Sequence, residues 1–408
     1  MSFWSKLKNL FGAAPADASA PTATVETPSP KDLFADEVKR ALVASGATIV
    51  RYDREEFSIV GKRGGSEFTV FLENVFRETR DLQPDQRAAR ISALGSIGVQ
   101  SDDLAWEDAK ERLVPLVRPV TMFAAVEGRP GAKPIVSRPF APFLIEAMAI
   151  DSPTSMAMVT REQLERWGVD EATLFDQGHA VLGAAGAAVA PYDPTAPYAL
   201  FTIANDDSYE SSRLALPELL EKLAEKVDGR LVAVVPGRAM LLIGGDGALD
   251  CLRRLIETAE RQYESSPRSI SPAPYTLEGG KVVPYHAAPD HPLARTIEIA
   301  HAKLALREYE TQKPLLQAKV GDDVFVASFS ALDGPDGVTS YSVWSRGIPT
   351  LLPKTTHVVL SDGETATPAR VEWSAIEAFV TEVPGVAPPR YRTEEWPTAA
   401  FEAATRSR

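Results

Sequence analysis

The stretch Ala199–Arg213, ALFTIANDDSYESSR, decides how the chain is read. Ala199 to Ala204 is an apolar run of the kind that makes a buried strand. Five polar residues follow at once: Asn205, Asp206, Asp207, Ser208 and Tyr209. A helical pattern is expected from about Ser211, with a helix over Arg213–Val227. Pro217 moves its true start toward Leu216, because proline favours the first helical turn. A strand that runs into polar groups at a helix N-terminus can build a binding site, since the first N–H groups are unpaired and the dipole favours anions. In the plainer reading Asp206, Asp207 and Ser208 cap the helix and hold the turn.

The candidate site is therefore this loop. Asn205, Asp206, Tyr209, Ser212 and Arg213 are the ligand-binding candidates, and Asp206 and Asp207 the catalytic ones, as a general base or as divalent-ion ligands. Neighbours on a strand point to opposite faces, so the two carboxylates act as a pair only if the chain has already turned. Arg213 also has a structural role open to it, pairing with Asp206 or Glu210 and locking the loop.

Downstream, Arg230–Val235 and Ala239–Ile243 read as a hairpin turning at Pro236-Gly237. Their unbroken apolar runs predict that both faces are covered, which places the hairpin inside a sheet rather than at its edge. A helix over Ala248–Tyr263 carries Cys251, a core position by its neighbours Leu252 and Leu255. Upstream, Gly183–Ala190 reads as a mobile loop. Glu171–Leu182 reads as a helix capped by Asp170, and Arg161–Trp167 as another. This pair has a helix–turn–helix outline, but its second helix offers Glu171, Asp176 and only His179 where DNA reading wants basic residues. Leu116–Val126 and Phe143–Ile150 are strands around a Gly/Pro loop, 128–134.

Ser29-Pro30 with Asp32 signals the first helix of the folded region, ending at Gly46. Strands at Thr48–Tyr52, Glu56–Val60 and Glu67–Leu72 follow, the last two joined by a Gly64-Gly65 turn. Helices are expected over Glu73–Arg80, Leu82–Ile91 and Asp102–Leu113. Before all this stands MSFWSKLKNLF, with Phe3, Trp4, Leu7, Leu10 and Phe11 on one helical face and two lysines on the other. It reads as a short amphipathic helix that contacts a membrane surface weakly or docks on a protein. The Ala/Pro-rich segment 13–30 reads as a flexible linker. Beyond Pro284, His291 opens a periodic helix stopped by Pro314. Strands are expected at Asp323–Ser330, Thr339–Val343, His357–Leu360 and Thr367–Val371, then a helix over Glu372–Val380 and a proline-rich tail from Pro384 that covers the surface or stays mobile.

The whole reads as α+β, with mixed and antiparallel sheets and flanking helices. The units are 1–12 (amphipathic helix), 13–30 (linker), 31–113 (small α+β unit), 114–284 (α+β core), 285–383 (second α+β domain) and 384–408 (tail). A net charge of −13 over 408 residues argues against nucleic acid as a partner. With Cys251 alone no intramolecular disulfide forms, which fits a reducing compartment. Dinucleotide, P-loop, nucleophile-elbow and zincin motifs do not occur. His286 and His291 with Asp290 do not complete a zinc set, so no metal or cofactor is expected.

Several blocks resemble the YtpQ family, bacterial proteins whose domain has no assigned function. The motifs are Ala204-Asn205-Asp206 with Tyr209 and Ser212-Arg213; Trp167-Gly168 with Leu174 and Leu182; and Gly229-Arg230-Leu231 with Val234-Val235-Pro236 and the run to Ile243. Val114–Pro119 and Gly280–Pro284 add shorter blocks, and the likeness spans roughly Phe34 to Pro284. The chain departs from the pattern where Asp207 and Ser208 give one extra residue before Tyr209, and where Val181 stands for an asparagine. The resemblance implies this fold and an intracellular bacterial setting, with no known activity. Function is expected to be binding of a protein partner or small polar ligand by a cytoplasmic protein that can sit peripherally at the inner membrane face; the alternative is a hydrolase or transferase using Asp206 and Asp207.

Overall fold

The computed structural model describes residues 29–406 apart from 55–56, 64–65, 81, 95–103, 125–132, 153–154, 267, 336 and 365–367. The amphipathic helix with Phe3, Trp4, Leu7, Leu10 and Phe11, nearly all of the linker, the Gly64-Gly65 turn and most of the 128–134 loop lie outside the described residues. The fold is α+β, with antiparallel and mixed sheets.

Helix α1, Pro30–Ala44, starts as its sequence dictates. The Ser29 hydroxyl accepts from the Asp32 N–H at 3.2 Å while the Asp32 carboxylate accepts from the Ser29 N–H at 3.1 Å, closing a capping box. Strands β1 (Thr48–Asp53), β2 (Ser58–Arg63) and β3 (Ser66–Phe71) form an antiparallel sheet in that order. With α1, α2 (Glu73–Thr79) and α3 (Pro84–Ala93), it encloses Phe34, Val38, Leu42, Ile59, Val70 and Leu94. The helix expected to reach Leu113 is shorter: α4 spans Trp106–Ala109, a single 3-10 turn follows over Lys110–Arg112, and Leu113 already belongs to a strand.

Strand β6 (Leu144–Ser152) is the spine of the next sheet, pairing antiparallel with β4 (Leu113–Pro119), β5 (Ser137–Ala141) and β7 (Ser155–Met158). β4 stops at Pro119, short of the expected Val126, because the chain turns there and Glu308 accepts from the Thr121 N–H at 3.0 Å and its hydroxyl at 2.8 Å. Helix α5 occupies Arg161–Trp167, and Gly168 ends it in the left-handed conformation at φ 67°. Helix α6, Glu171–Ala184, is capped by Asp170, whose carboxylate accepts from the Thr173 N–H at 2.8 Å.

The expected mobile loop 183–190 is replaced by order. α6 continues to Ala184, and β8 (Val189–Pro191) pairs with β9 (Leu200–Ile203). These two strands end a six-stranded sheet ordered β13-β12-β10-β11-β9-β8, with β10 Leu231–Gly237, β11 Met240–Gly245, β12 Pro274–Glu278 and β13 Lys281–Pro284. The β10–β11 hairpin is central, as its continuous apolar runs predict. Ala233, Val235, Leu241 and Ile243 face a core shared with Leu220 and Leu223 of α7 (Pro217–Ala224). Val232, Val234 and Leu242 face Leu252, Leu255 and the buried Cys251 of α8 (Leu249–Ser265). Each such buried aliphatic side chain stabilises the fold by about 1.5–3 kcal/mol relative to exposure.

The C-terminal part corrects four expectations. Helix α9, Ala294–Val320, runs through Pro314 rather than stopping there. Proline removes one backbone hydrogen bond, but Leu316 packs with Val326 and Leu351, and Gln312 is buried against the Pro388 carbonyl, so tertiary contacts carry the helix onward. The expected strand over 323–330 divides into β14 (Phe325–Val326) and β15 (Ser330–Gly334). They are followed by β16 (Gly337–Ser345), β17 (Thr350–Pro353), β18 (His357–Ser361) and β19 (Ala369–Glu372). The helix expected over 372–380 is two 3-10 turns, Trp373–Ala375 and Glu377–Phe379. The tail is part of the fold. β20 (Val380–Glu382) and β21 (Arg390–Thr393) join β14 and β17 in one sheet, and α10 (Thr398–Arg406) places Phe401 against Trp373 and Ile376.

Candidate functional site

Strand β9 delivers the chain into residues 204–210, and no α-helix begins there. Ser211–Ala215 is a 3-10 turn with no side-chain cap, and Leu216 leaves helical geometry before Pro217 starts α7. The capping role expected for Asp206, Asp207 and Ser208 is thus corrected: they shape a loop. Asp206 and Ser208 both sit in the left-handed region, at φ 54° and 67°, where side chains are disfavoured.

That backbone is held by a buried ion pair. Arg213 is fully buried, and its Nη1 and Nη2 donate to Asp207 Oδ1 at 3.0 Å and Oδ2 at 2.6 Å. Its Nε donates to the Gly186 carbonyl at 2.8 Å. The partner of Arg213 is therefore Asp207, not Asp206 or Glu210. Asp207 Oδ1 also accepts from the Tyr209 N–H at 2.9 Å, and Glu210 Oε1 accepts from the Asp207 N–H at 3.2 Å. Asn205 anchors the other side: its Oδ1 accepts from the Ala188 N–H at 2.7 Å and its Nδ2 donates to Gly186 at 3.4 Å. Ser212 is buried, its hydroxyl 3.4 Å from the Val117 N–H.

Asp206 differs from its neighbour. It is exposed, and its carbonyl accepts from Arg77 Nη2 of α2 at 3.3 Å. The two aspartates do not share one environment: Asp207 is tied to a guanidinium and Asp206 faces solvent. Tyr209 is buried and hydrogen-bonds through its hydroxyl to the Asp151 carboxylate. Burial, then the Asp151 charge, pushes the Tyr209 phenol well above its ordinary range, so it is a neutral donor. Burial raises Asp151 in turn.

Sequence reasoning missed a second polar cluster. Glu146 on β6 is almost fully buried; Arg138 Nε donates to its Oε2 at 2.9 Å, and His179 of α6 contacts its Oε1. The Arg138 guanidinium lies 4.0 Å from the Phe175 ring centroid. A carboxylate that orients a half-buried imidazole is a general-base arrangement in form, and here it also ties α6 to its sheet. The signal was a lone acid inside the apolar run LIEAMAI.

The other motif residues hold the fold. Trp167 Nε1 donates to the Leu104 carbonyl at 2.8 Å. Gly229 adopts φ 79°, where a Cβ would come 2.3 Å from Asp246 Oδ1, and Arg230 pairs with that same Asp246 at 2.9 Å. Among the described residues no group of three His, Cys, Asp or Glu is arranged to hold a metal ion, and no helix is long and apolar enough to cross a membrane. No protein-family model, no curated protein and no solved structure matches the chain.

Proposed function

We propose that the chain is a non-catalytic binding protein of the YtpQ type, recognising a ligand or protein partner at the 204–213 loop. The observation that carries this reading is the loop itself. Two non-glycine residues in left-handed conformations flank Asp207, whose carboxylate holds a fully buried arginine. Such strain persists where surrounding structure over-determines it, and it concentrates at sites of recognition and chemistry. With Asp207 engaged by Arg213, a two-carboxylate mechanism loses one member, and what the loop presents to solvent is the single carboxylate of Asp206. A pre-formed loop that offers one charged group suits recognition, because little ordering entropy is lost on binding.

The test is a photo-crosslinking residue placed at position 206 and, as a control, at the exposed position 218. The reading expects one discrete adduct at 206 and none at 218; equal or absent crosslinking at both would remove it. Turnover of an ester, amide or phosphate substrate, abolished by Asp206→Asn with the fold intact, would return the hydrolase or transferase reading. We further propose that Met1–Phe11 tethers the protein in the cytoplasm, to a membrane face or to another protein. Flotation of the full chain with anionic vesicles, lost on removal of residues 1–12, is the expected result. Unchanged flotation without them excludes the membrane tether.

A further inference from the structure

The candidate loop ends in an unbroken run of buried polar residues. Glu210, Ser211, Ser212 and Arg213 are each no more than 3% exposed, and no other polar run of this length is buried among the described residues. Charged and hydroxyl side chains are rarely taken out of water in succession, because each then needs a partner inside. Half of this run has its partners. Arg213 donates to Asp207 and to the Gly186 carbonyl, and the Ser212 hydroxyl lies 3.4 Å from the Val117 N–H. The other half does not. Glu210 Oε1 accepts from the Asp207 N–H at 3.2 Å, but Oε2 of the same carboxylate has no partner among the described residues. Ser211 donates its N–H to the Arg238 carbonyl at 3.2 Å, while its hydroxyl, fully buried, has no partner among the described residues.

The two orphaned groups belong to neighbouring residues, and what they lack describes a ligand. A carboxylate oxygen only accepts, so Glu210 Oε2 calls for a positive charge or a donor, and a serine hydroxyl can turn its lone pairs to the same guest. A buried water would satisfy the hydroxyl but would leave the charge of the carboxylate uncompensated, which is costly away from solvent. The arginine of the loop does not supply that charge, because Arg213 is already neutralised by Asp207. The donor set also fixes the charge and kind of guest. Carboxylate and hydroxyl oxygens suit hard cations, and one unpaired carboxylate oxygen balances one positive charge. Divalent ions want several acidic or imidazole ligands, and no group of three His, Cys, Asp or Glu is so arranged among the described residues.

We propose that Glu210 and Ser211 hold a small monovalent cation, an alkali ion or ammonium, at the base of the 204–213 loop. The proposal stands apart from the reading of Asp206 as a contact for a partner, since Asp206 is exposed and takes no part in the site. Its consequence for the loop is mechanical. The carboxylate that meets the cation through Oε2 also fixes the Asp207 N–H through Oε1, so the bound ion secures the turn that presents Asp206.

The experiment is thermal unfolding of the full chain in sodium, potassium or ammonium chloride, each exchanged against tetramethylammonium chloride at constant ionic strength. Wild type is expected to gain Tm with at least one of the three, along a curve that saturates, as binding to the folded state requires. A gain with sodium or potassium assigns the site to an alkali ion, and a gain with ammonium alone assigns it to an N–H donor. Glu210→Gln keeps an acceptor for the Asp207 N–H but removes the charge, and should abolish the gain. Ser211→Ala removes one oxygen ligand and should raise the half-saturating concentration about tenfold. If Glu210→Gln does not fold, Ser211→Ala decides alone. No gain in wild type, a gain with magnesium chloride but with none of the monovalent salts, or a gain undiminished in either variant overturns the proposal. A crosslink at position 206 without a cation response would leave the binding reading standing and remove this one.

Discussion

Asp207→Asn separates a structural from a catalytic role for the loop. The change keeps side-chain shape and one carbonyl acceptor but removes the charge that faces Arg213. Arg213 is fully buried, whereas the Asp207 side chain is 29% exposed. Removing one member of a buried ion pair costs about 3–5 kcal/mol, because the remaining charge is stranded. Partial exposure of Asp207 lets water enter beside the arginine, which brings the expectation to about 3 kcal/mol. Urea unfolding followed by circular dichroism measures it, with amide exchange over residues 200–215 locating the loss. Arg213→Met should partly rescue Asp207→Asn, with the double variant at least about 1 kcal/mol more stable than additivity allows. A loss below about 0.5 kcal/mol in the single variant would refute the reasoning, since surface aspartates behave that way.

Three further outcomes follow from the same structure. Burial lowers the His301 pKa from 6.5 to about 4. Below pH 6.5 the unfolded chain takes up a proton that the folded chain refuses, so stability is intact above that pH and falls toward pH 4. About 2 kcal/mol should go between pH 7.5 and 5.0, and His301→Gln should remove that component of a pH series of unfolding curves; identical slopes in both proteins would contradict it. Gly245→Ala would set a Cβ 1.9 Å from the Asp228 carbonyl oxygen, so thermal unfolding should show a loss of about 1–3 kcal/mol, and an unchanged Tm would speak against this tight turn. Cys251 is buried and its thiol is pushed up by burial, so alkylation of the native chain should be far slower than of the unfolded chain, with equal rates as the contrary result.

Local signals were legible where local chemistry decides. Ser29-Pro30-Lys31-Asp32 specifies a capped helix start, and Thr160 to Gly168 specifies both ends of α5. The apolar runs of β10 and β11 specify strands covered on both faces. Tertiary contacts decided the rest. Pro314 reads as a stop, yet Leu316 and Gln312 find partners beyond it. Residues 384–397 read as a loose tail because prolines dominate, while Arg390, fully buried, donates to the Gln312 side chain at 2.7 Å and to the Ala327 backbone carbonyl, fastening β21 in place.

At the candidate site, the loop was visible as an abrupt change from apolar to polar residues, but its wiring was not. Asp206, Asp207 and Glu210 are equivalent acids on paper, and only the left-handed turns at 206 and 208 bring Asp207 alone onto Arg213. Arg118 and Glu146 had a common signal: a charge set inside a strand between apolar neighbours. Such a residue must find a partner after folding, and sequence does not say which. Glu146 meets Arg138 and His179, whereas Arg118 donates to the Val117 carbonyl beside it.

The most direct test of the central claim, recognition without catalysis in this region, is native mass spectrometry of the full chain purified at low salt. Spectra of wild type and Asp206→Asn should be recorded under native conditions and again after denaturation, so that any co-purified ligand or partner is released and weighed. The account predicts a one-to-one adduct on wild type that is weakened in Asp206→Asn and whose bound species is released with its mass unchanged. A bare polypeptide throughout, or a ligand converted to product by wild type but not by Asp206→Asn, would contradict it.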